Sequence, residues 1–234
     1  MAYTLAPKTE ALTPYDPVEG EYRVRLDANE SFLLPTDADR EKMAQAAAET
    51  ALNRYPDPLA TRLCEAFAAR YQVKPALVTA GNGSDELISI ILSTFLQKGE
   101  KVLTLSPDFS MYAFYTSITE TPCITLPKKP DMTVDVTAVI DTIRREGVRL
   151  LIFSNPCNPT SVGLPRDGVR RILRETDALV VLDEAYMDFS DQSLVDRIDE
   201  TDNLVILRTC SKAFGMAALR LGFALSNWRI INSI

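Results

Sequence analysis

Histidine is missing from all 234 residues. That absence removes Ser-His and Cys-His nucleophilic machinery, and the common histidine-bearing zinc sites, from this chain. Any general base must then be a lysine, a carboxylate, a tyrosine or a bound cofactor, and no metal site is expected. No glycine is followed by lysine, which excludes a Walker A phosphate loop. No apolar run approaches the length that spans a membrane. The opening MAYTLAPKTE has no basic stretch leading into an apolar one, so no secretory signal is expected. Positive charge is in deficit: 25 Lys and Arg against 32 Asp and Glu leave a formal net charge of −7. With no basic arm or stripe to offset it, nucleic acid is not an expected partner. The four cysteines, Cys64, Cys123, Cys157 and Cys210, lack paired spacing, so reduced thiols in the cytoplasm are expected.

What is present is enough for a core. At 46% hydrophobic, the chain can bury one large domain, or one domain and part of another. After an irregular start, DADREKMAQAAAETALNRYPDP reads as an alanine-rich helix stopped by Pro56, and LATRLCEAFAARYQ as a second helix. The texture then alternates. ALVTAGNGSDELISIILSTFLQKGE is a short strand, a glycine turn and a helix opened by Ser84-Asp85-Glu86 and closed at Gly99. KVLTLSP, PCITLP, VRLLIFSNP, DALVVLDEAY, NLVILRT and LGFALSN follow as strands, with FSMYAFYTSI, VDVTAVIDTIRREG and RDGVRRILRET as helices. Strands apolar on both faces and spaced by helices predict an α/β fold with a mostly parallel sheet covered on both sides. Ligands of such sheets gather at the carboxyl ends of the strands.

Four polar clusters fall at such ends. AGNGSDE (80–86) offers amide groups at a helix N-terminus, suited to a phosphate, although alone it is no more than a capped turn. LDEAY (182–186) carries Asp183, which in a buried setting needs a positive partner or a proton, but which could also simply cap the next segment. In SNPCNPT (154–160), Asn155 and Asn158 are ordinary turn-makers unless one amide points at a ligand oxygen. Cys157 in that cluster reads as a packing residue, because no histidine exists to activate it. Finally, LVILRTCSKAFGMAALRLG sets Lys212 and Arg220 at the mouth of a strand apolar enough to be buried. A surface lysine is unremarkable, but one facing an aspartate, an asparagine and a phosphate cradle is an amine placed to attack a carbonyl. Together the clusters suit one ligand: a phosphate, a ring nitrogen wanting a carboxylate, a ring oxygen wanting an amide or phenol, and a group that reacts with an amine. Pyridoxal 5'-phosphate has these features.

The order and spacing of NRYPDP, GNGSDE, SPDFSMY, NPCNPT, LDEAYMDF and RTCSKAFGMAALRLG resemble the class I/II aminotransferases of the aspartate-aminotransferase fold, and within them most the histidinol-phosphate branch. The resemblance implies an aspartate-aminotransferase-like (fold type I) large domain over 36–226. It also implies that 1–35 belongs partly to a small domain, that 227–234 opens an interdomain helix, and that the C-terminal small domain is lacking. By the same resemblance Lys212 bonds the cofactor covalently and later moves the substrate proton. Asp183 pairs with the ring nitrogen, Asn158 and Tyr186 hold the phenolic oxygen, and Phe109 stacks on the ring. The backbone at Ser84 and Asp85, with Ser211 and Arg220, holds the phosphate. Tyr55 reaches the phosphate of a neighbouring subunit, which implies a homodimer with shared active sites. The implied reaction converts histidinol phosphate and 2-oxoglutarate to imidazole-acetol phosphate and glutamate, a step of histidine biosynthesis. The alternatives are an aromatic or broad-specificity aminotransferase, a threonine-phosphate-type decarboxylase, or a silent cofactor-binding fragment. This chain departs from the family pattern in having Phe109 where tyrosine is usual, Ser161 where glycine follows Asn-Pro-Thr, and ANESFLLP near its start.

Overall fold

The computed structural model describes residues 3–10, 12, 18 and 20–234. Part of the expected 1–35 segment (1, 2, 11, 13–17 and 19) lies outside the described residues. Among the described residues eight α-helices and seven strands follow one another: α1 (Pro7–Glu10), α2 (Asp37–Glu49), α3 (Thr61–Tyr71), β1 (Val78–Gly81), α4 (Ser84–Phe95), β2 (Lys101–Ser106), α5 (Met111–Ile118) and β3 (Cys123–Pro127). Then come α6 (Val136–Glu146), β4 (Val148–Ser154), α7 (Arg166–Glu175), β5 (Leu179–Asp183), β6 (Leu204–Thr209), β7 (Gly222–Ser226) and α8 (Trp228–Ile231).

The strands form one sheet in the order β1-β7-β6-β5-β4-β2-β3. The pairs β2–β3, β2–β4, β4–β5 and β5–β6 are parallel. β7 runs antiparallel to both β1 and β6. A parallel return needs a crossover, usually a full helix, whereas residues 210–221 supply only the short 3₁₀ turn Ala217–Leu219. The chain therefore doubles back.

Strand side chains alternate between two cores, as the period of two demands. Val180, Leu182, Leu204 and Ile206 join α3, α6 and α7 on one face. Val181, Val205 and Leu207 join α4, α5 and α8 on the other. The helices on the sheet are amphipathic and buried on their inner side; α6 is capped by Asp135, whose side chain accepts from the Ala138 amide, and ends at Gly147 with φ 65°. α2 differs: it has a Thr36–Asp39 capping box but buries no residue. It also ends at Glu49, well before Pro56, because Thr50 is extended and its hydroxyl donates to the Ala46 carbonyl at 2.8 Å.

Candidate active site

Asp183 is the last residue of β5 and is 4% exposed. The alternation that buries Val181 turns its carboxylate toward α5, where the wholly buried Tyr112 hydroxyl donates to Oδ2 at 2.9 Å. The Ala185 amide donates to Oδ1 at 3.1 Å. Among the described residues no cation pairs with this carboxylate. Burial pushes its pKa from 3.8 up to about 6; the Tyr112 and Ala185 hydrogen bonds oppose that rise, and the charges of Asp108 and Asp85 add to it.

The next residue, Glu184, faces the other way. It pairs with Arg208 of β6 at 2.8 Å, both side chains buried, and Ser193 Oγ donates to it at 2.7 Å. The Arg208 guanidinium lies 4.9 Å from the Tyr71 ring centroid. This pairing fixes the carboxyl ends of β5 and β6 side by side, and the loop carrying Lys212 leaves from the second of them.

That loop is knitted by its own backbone: the Gly215 amide donates to the Lys212 carbonyl at 3.0 Å and the Met216 amide to the Cys210 carbonyl at 3.0 Å. Lys212 Nζ donates to the Ala28 carbonyl at 2.7 Å and sits 5.7 Å from the Tyr186 ring centroid. Asn29, with φ 51°, donates through Nδ2 to the Tyr186 hydroxyl at 3.0 Å and reaches Asn158 Oδ1 at 3.5 Å.

An end suited to an anion is built where α4 begins. Gly83, its N-cap, has φ 87° and supplies no side-chain cap, so the first amides of a twelve-residue helix are open. Arg220 hangs over them: a Cβ on Gly83 would lie 2.7 Å from its Nη2. Arg220 also contacts Asp85 Oδ2 at 3.3 Å. Gly222 is equally constrained, since a Cβ there would stand 2.4 Å from the Gly83 carbonyl carbon. Ser211 is held by Thr209, whose Oγ1 donates to its Oγ at 3.0 Å.

Ser84, Asp85, Phe109, Asn158, Asp183, Tyr186, Ser211, Lys212 and Arg220, all expected from the sequence, line a single cavity of about 560 Å³. Tyr55 does not; it is fully exposed on its own chain. Asn155 is buried away from the cavity, exchanging hydrogen bonds with the Leu164 backbone at 3.1 and 2.7 Å, so it shapes the loop. A larger cavity of about 930 Å³ lies at the opposite, amino ends of the parallel strands near Arg149, Asp177 and Arg229, away from the Lys212 amine and Asp183.

Several contributors were invisible along the chain. Tyr112 and Asn29 touch the site across long sequence separations, and Asp108 braces its wall. Asp108 Oδ1 accepts from Ser154 Oγ at 2.5 Å, and that oxygen in turn accepts from the Asn158 amide at 3.0 Å. Tyr112 alone had a local trace, three residues after Phe109 across the turn that leads into α5, where the rings meet edge to face at 5.5 Å.

The donor set fits pyridoxal phosphate. A buried carboxylate without a cation suits a protonated ring nitrogen, the glycine-lined helix mouth under Arg220 suits a phosphate, and Lys212 is the amine between them.

Residues 22–234 match the family model described as aminotransferase class I and II. A histidinol-phosphate aminotransferase of Clostridium novyi is 41% identical over 94% of this chain and 62% of its own length. One from Chlorobaculum tepidum is 40% identical over 98% of this chain and 67% of its own. The crystal structure of histidinol-phosphate aminotransferase from Sinorhizobium meliloti in complex with pyridoxal-5'-phosphate superposes with a TM-score of 0.87 at 26% identity, covering 97% of this chain and 64% of that one. The chain thus spans somewhat under two thirds of the Clostridium novyi relative.

Proposed function

Because the chain belongs to the class I and II aminotransferases, we propose that it binds pyridoxal 5'-phosphate in the 560 Å³ cavity and transfers an amino group from a donor to a 2-oxo acid. The observation that carries this reading is Asp183: a buried carboxylate without a cation, sharing one cavity with a lysine and an open helix N-terminus.

In this reading Arg220, Ser211 and the amides of Ser84 and Asp85 hold the phosphate. Asp183, aimed by Tyr112, keeps the ring nitrogen protonated. Asn158 and Tyr186 hold the phenolic oxygen, and Phe109 covers the ring. When bound, the cofactor offers an aldehyde to take up the amino group and a protonated ring to delocalise the electron pair left at the donor Cα. Lys212 would hold the cofactor and, as the base, would take the proton from the donor Cα. The overall exchange balances: the donor leaves as an oxo compound and the 2-oxo acid as an amino acid.

The donor we favour is histidinol phosphate, with 2-oxoglutarate as acceptor, supported by the relatives' names at about 40% identity. We place Tyr55 at the phosphate of a second copy, in a homodimer with shared sites. Its full exposure, beside exposed Leu52 and Leu59, supports that placement. No helix among the described residues is long and apolar enough to cross a membrane.

The test is a visible absorption spectrum of the protein with pyridoxal phosphate, then borohydride reduction and peptide mapping. Label on Lys212, and a spectral change when histidinol phosphate is added to an unreduced sample, support the proposal. Folded protein that takes no label at Lys212 refutes it.

A further inference from the structure

Beside the cavity, and outside the proposed chemistry, lies a buried amine in contact with a buried thiol. Lys128 Nζ stands 2.7 Å from Cys157 Sγ. The Lys128 side chain is 2% exposed and Cys157 is 4% exposed. The pair cannot drift apart. Lys128 is pinned by Asp108 Oδ2 at 3.3 Å and by the Pro107 carbonyl at 2.8 Å. Cys157 lies in a tight loop in which its amide donates to the Val162 carbonyl at 3.1 Å and its carbonyl accepts from the Ser161 amide at 2.7 Å. The thiol also points at the Pro107 carbonyl, 3.5 Å away.

At 2.7 Å nitrogen and sulfur are closer than two unbonded atoms sit at ease, and about as far apart as two atoms joined through one oxygen. We propose that Lys128 and Cys157 form an oxidative modification site, in which peroxide joins them through a single bridging oxygen, Sγ–O–Nζ. A first peroxide breaks the S–H bond and converts the thiol to a sulfenic acid, releasing one water. Lys128 first passes its ammonium proton to the Asp108 carboxylate 3.3 Å away. A second peroxide then removes the hydroxyl hydrogen and one amine hydrogen as the O–N bond forms, leaving as two waters. The sulfur and nitrogen together lose four electrons, and two equivalents of a dithiol return them, restoring thiol and amine and releasing the oxygen as water. The fixed neighbour intercepts the sulfenic acid before further oxidation, which would be irreversible. Cys64, Cys123 and Cys210 differ: none is hydrogen-bonded to a lysine among the described residues.

The bridge is tested by treating the folded protein with hydrogen peroxide, digesting it without reductant and mapping the peptides by mass. The expected product joins the Lys128 and Cys157 peptides with a gain of one oxygen and a loss of two hydrogens. Dithiothreitol should reverse it, and it should be absent from Cys157→Ala. Lys128→Arg keeps the cation beside Asp108 and should leave Cys157 as sulfinic or sulfonic acid. Cys157 oxidised in the wild type with Lys128 unmodified overturns the proposal, as does a direct S–N link lacking the oxygen, or oxidation confined to the other cysteines. None of these readouts depends on cofactor binding or on transamination.

Discussion

Two parts of this molecule carry their apolar residues in opposite ways. From β1 to β7 the strands hide Leu, Ile and Val on both faces, and the one unpaired carboxylate among them is enclosed. Residues 20–60 do the reverse. α2 buries nothing, while Leu26, Phe32, Leu33, Leu34, Leu52 and Tyr55 stand in the open. The first part encloses its own core. The second holds surface that water tolerates poorly, which is the pattern of a region awaiting cover.

That contrast can be broken at graded cost. If the proposed reaction holds, Lys212→Ala should lower transamination by about a hundredfold to ten-thousandfold, in line with loss of a positioned proton-transfer group. Stability should move by less than about 1 kcal/mol, because the loop is tied by its backbone. Steady-state kinetics beside urea unfolding would read both. Gly222→Ala attacks the enclosed part directly: its Cβ would stand 2.4 Å from backbone that cannot yield, and a loss of about 3 kcal/mol is expected in urea titration.

Asp183→Asn should do the opposite to stability. The folded pKa, about 6, lies above the ordinary 3.8. The folded protein therefore binds more protons than the unfolded one between those values, and the buried charge weakens it progressively as pH rises through that window. Above it the penalty is about 3 kcal/mol, and below about pH 4 it is gone. Without cofactor, Asp183→Asn should be up to that much more stable at pH 7 and should flatten the pH dependence of unfolding. Its affinity for pyridoxal phosphate should fall. Equal pH profiles for the two proteins would contradict this account.

The smallest effects belong to a loop and to the exposed part. Ser161 holds φ 60°, a left-handed conformation at the position where the resembled family has glycine. Ser161→Gly should stabilise by about 0.5 kcal/mol, the relieved strain being partly offset by unfolded-state entropy. Phe32→Ser should change urea stability by less than about 0.5 kcal/mol. If the exposed region is the homodimer face, the same substitution should move the sedimentation of the protein toward the smaller species.

The sequence made the enclosed part legible because its signals are local. Continuous apolar strands, glycine turns and helix starts stand within a few residues of one another, and Asp183, Asn158 and Lys212 each follow such a strand. What it could not show depends on distant chain segments meeting. Nothing near Tyr112 announces Asp183, and nothing near Cys157 announces Lys128. The end of α2 was misplaced for a subtler reason: alanine-rich helical propensity runs on to Pro56, but Thr50 closes the helix with its own hydroxyl. The reversal of β7 was hidden because its pattern matches a parallel core strand; only the connection before it differs.

The position of β7 also sets a timetable. Among the described residues β1 pairs with no strand except β7, and the residues we place at the phosphate come from both ends of the sequence between them, Gly83 to Asp85 and Ser211 to Arg220. As the ribosome extends the polypeptide, β1 waits as an open edge until residues 222–226 have emerged. Until then Gly83 has no Gly222 to close against, and Arg220 has no settled place above the helix mouth. If the proposed cofactor site is right, free cofactor cannot draw a half-made chain forward, because its phosphate would have nowhere yet to rest. On that reading its capture would mark the moment the sheet is finished.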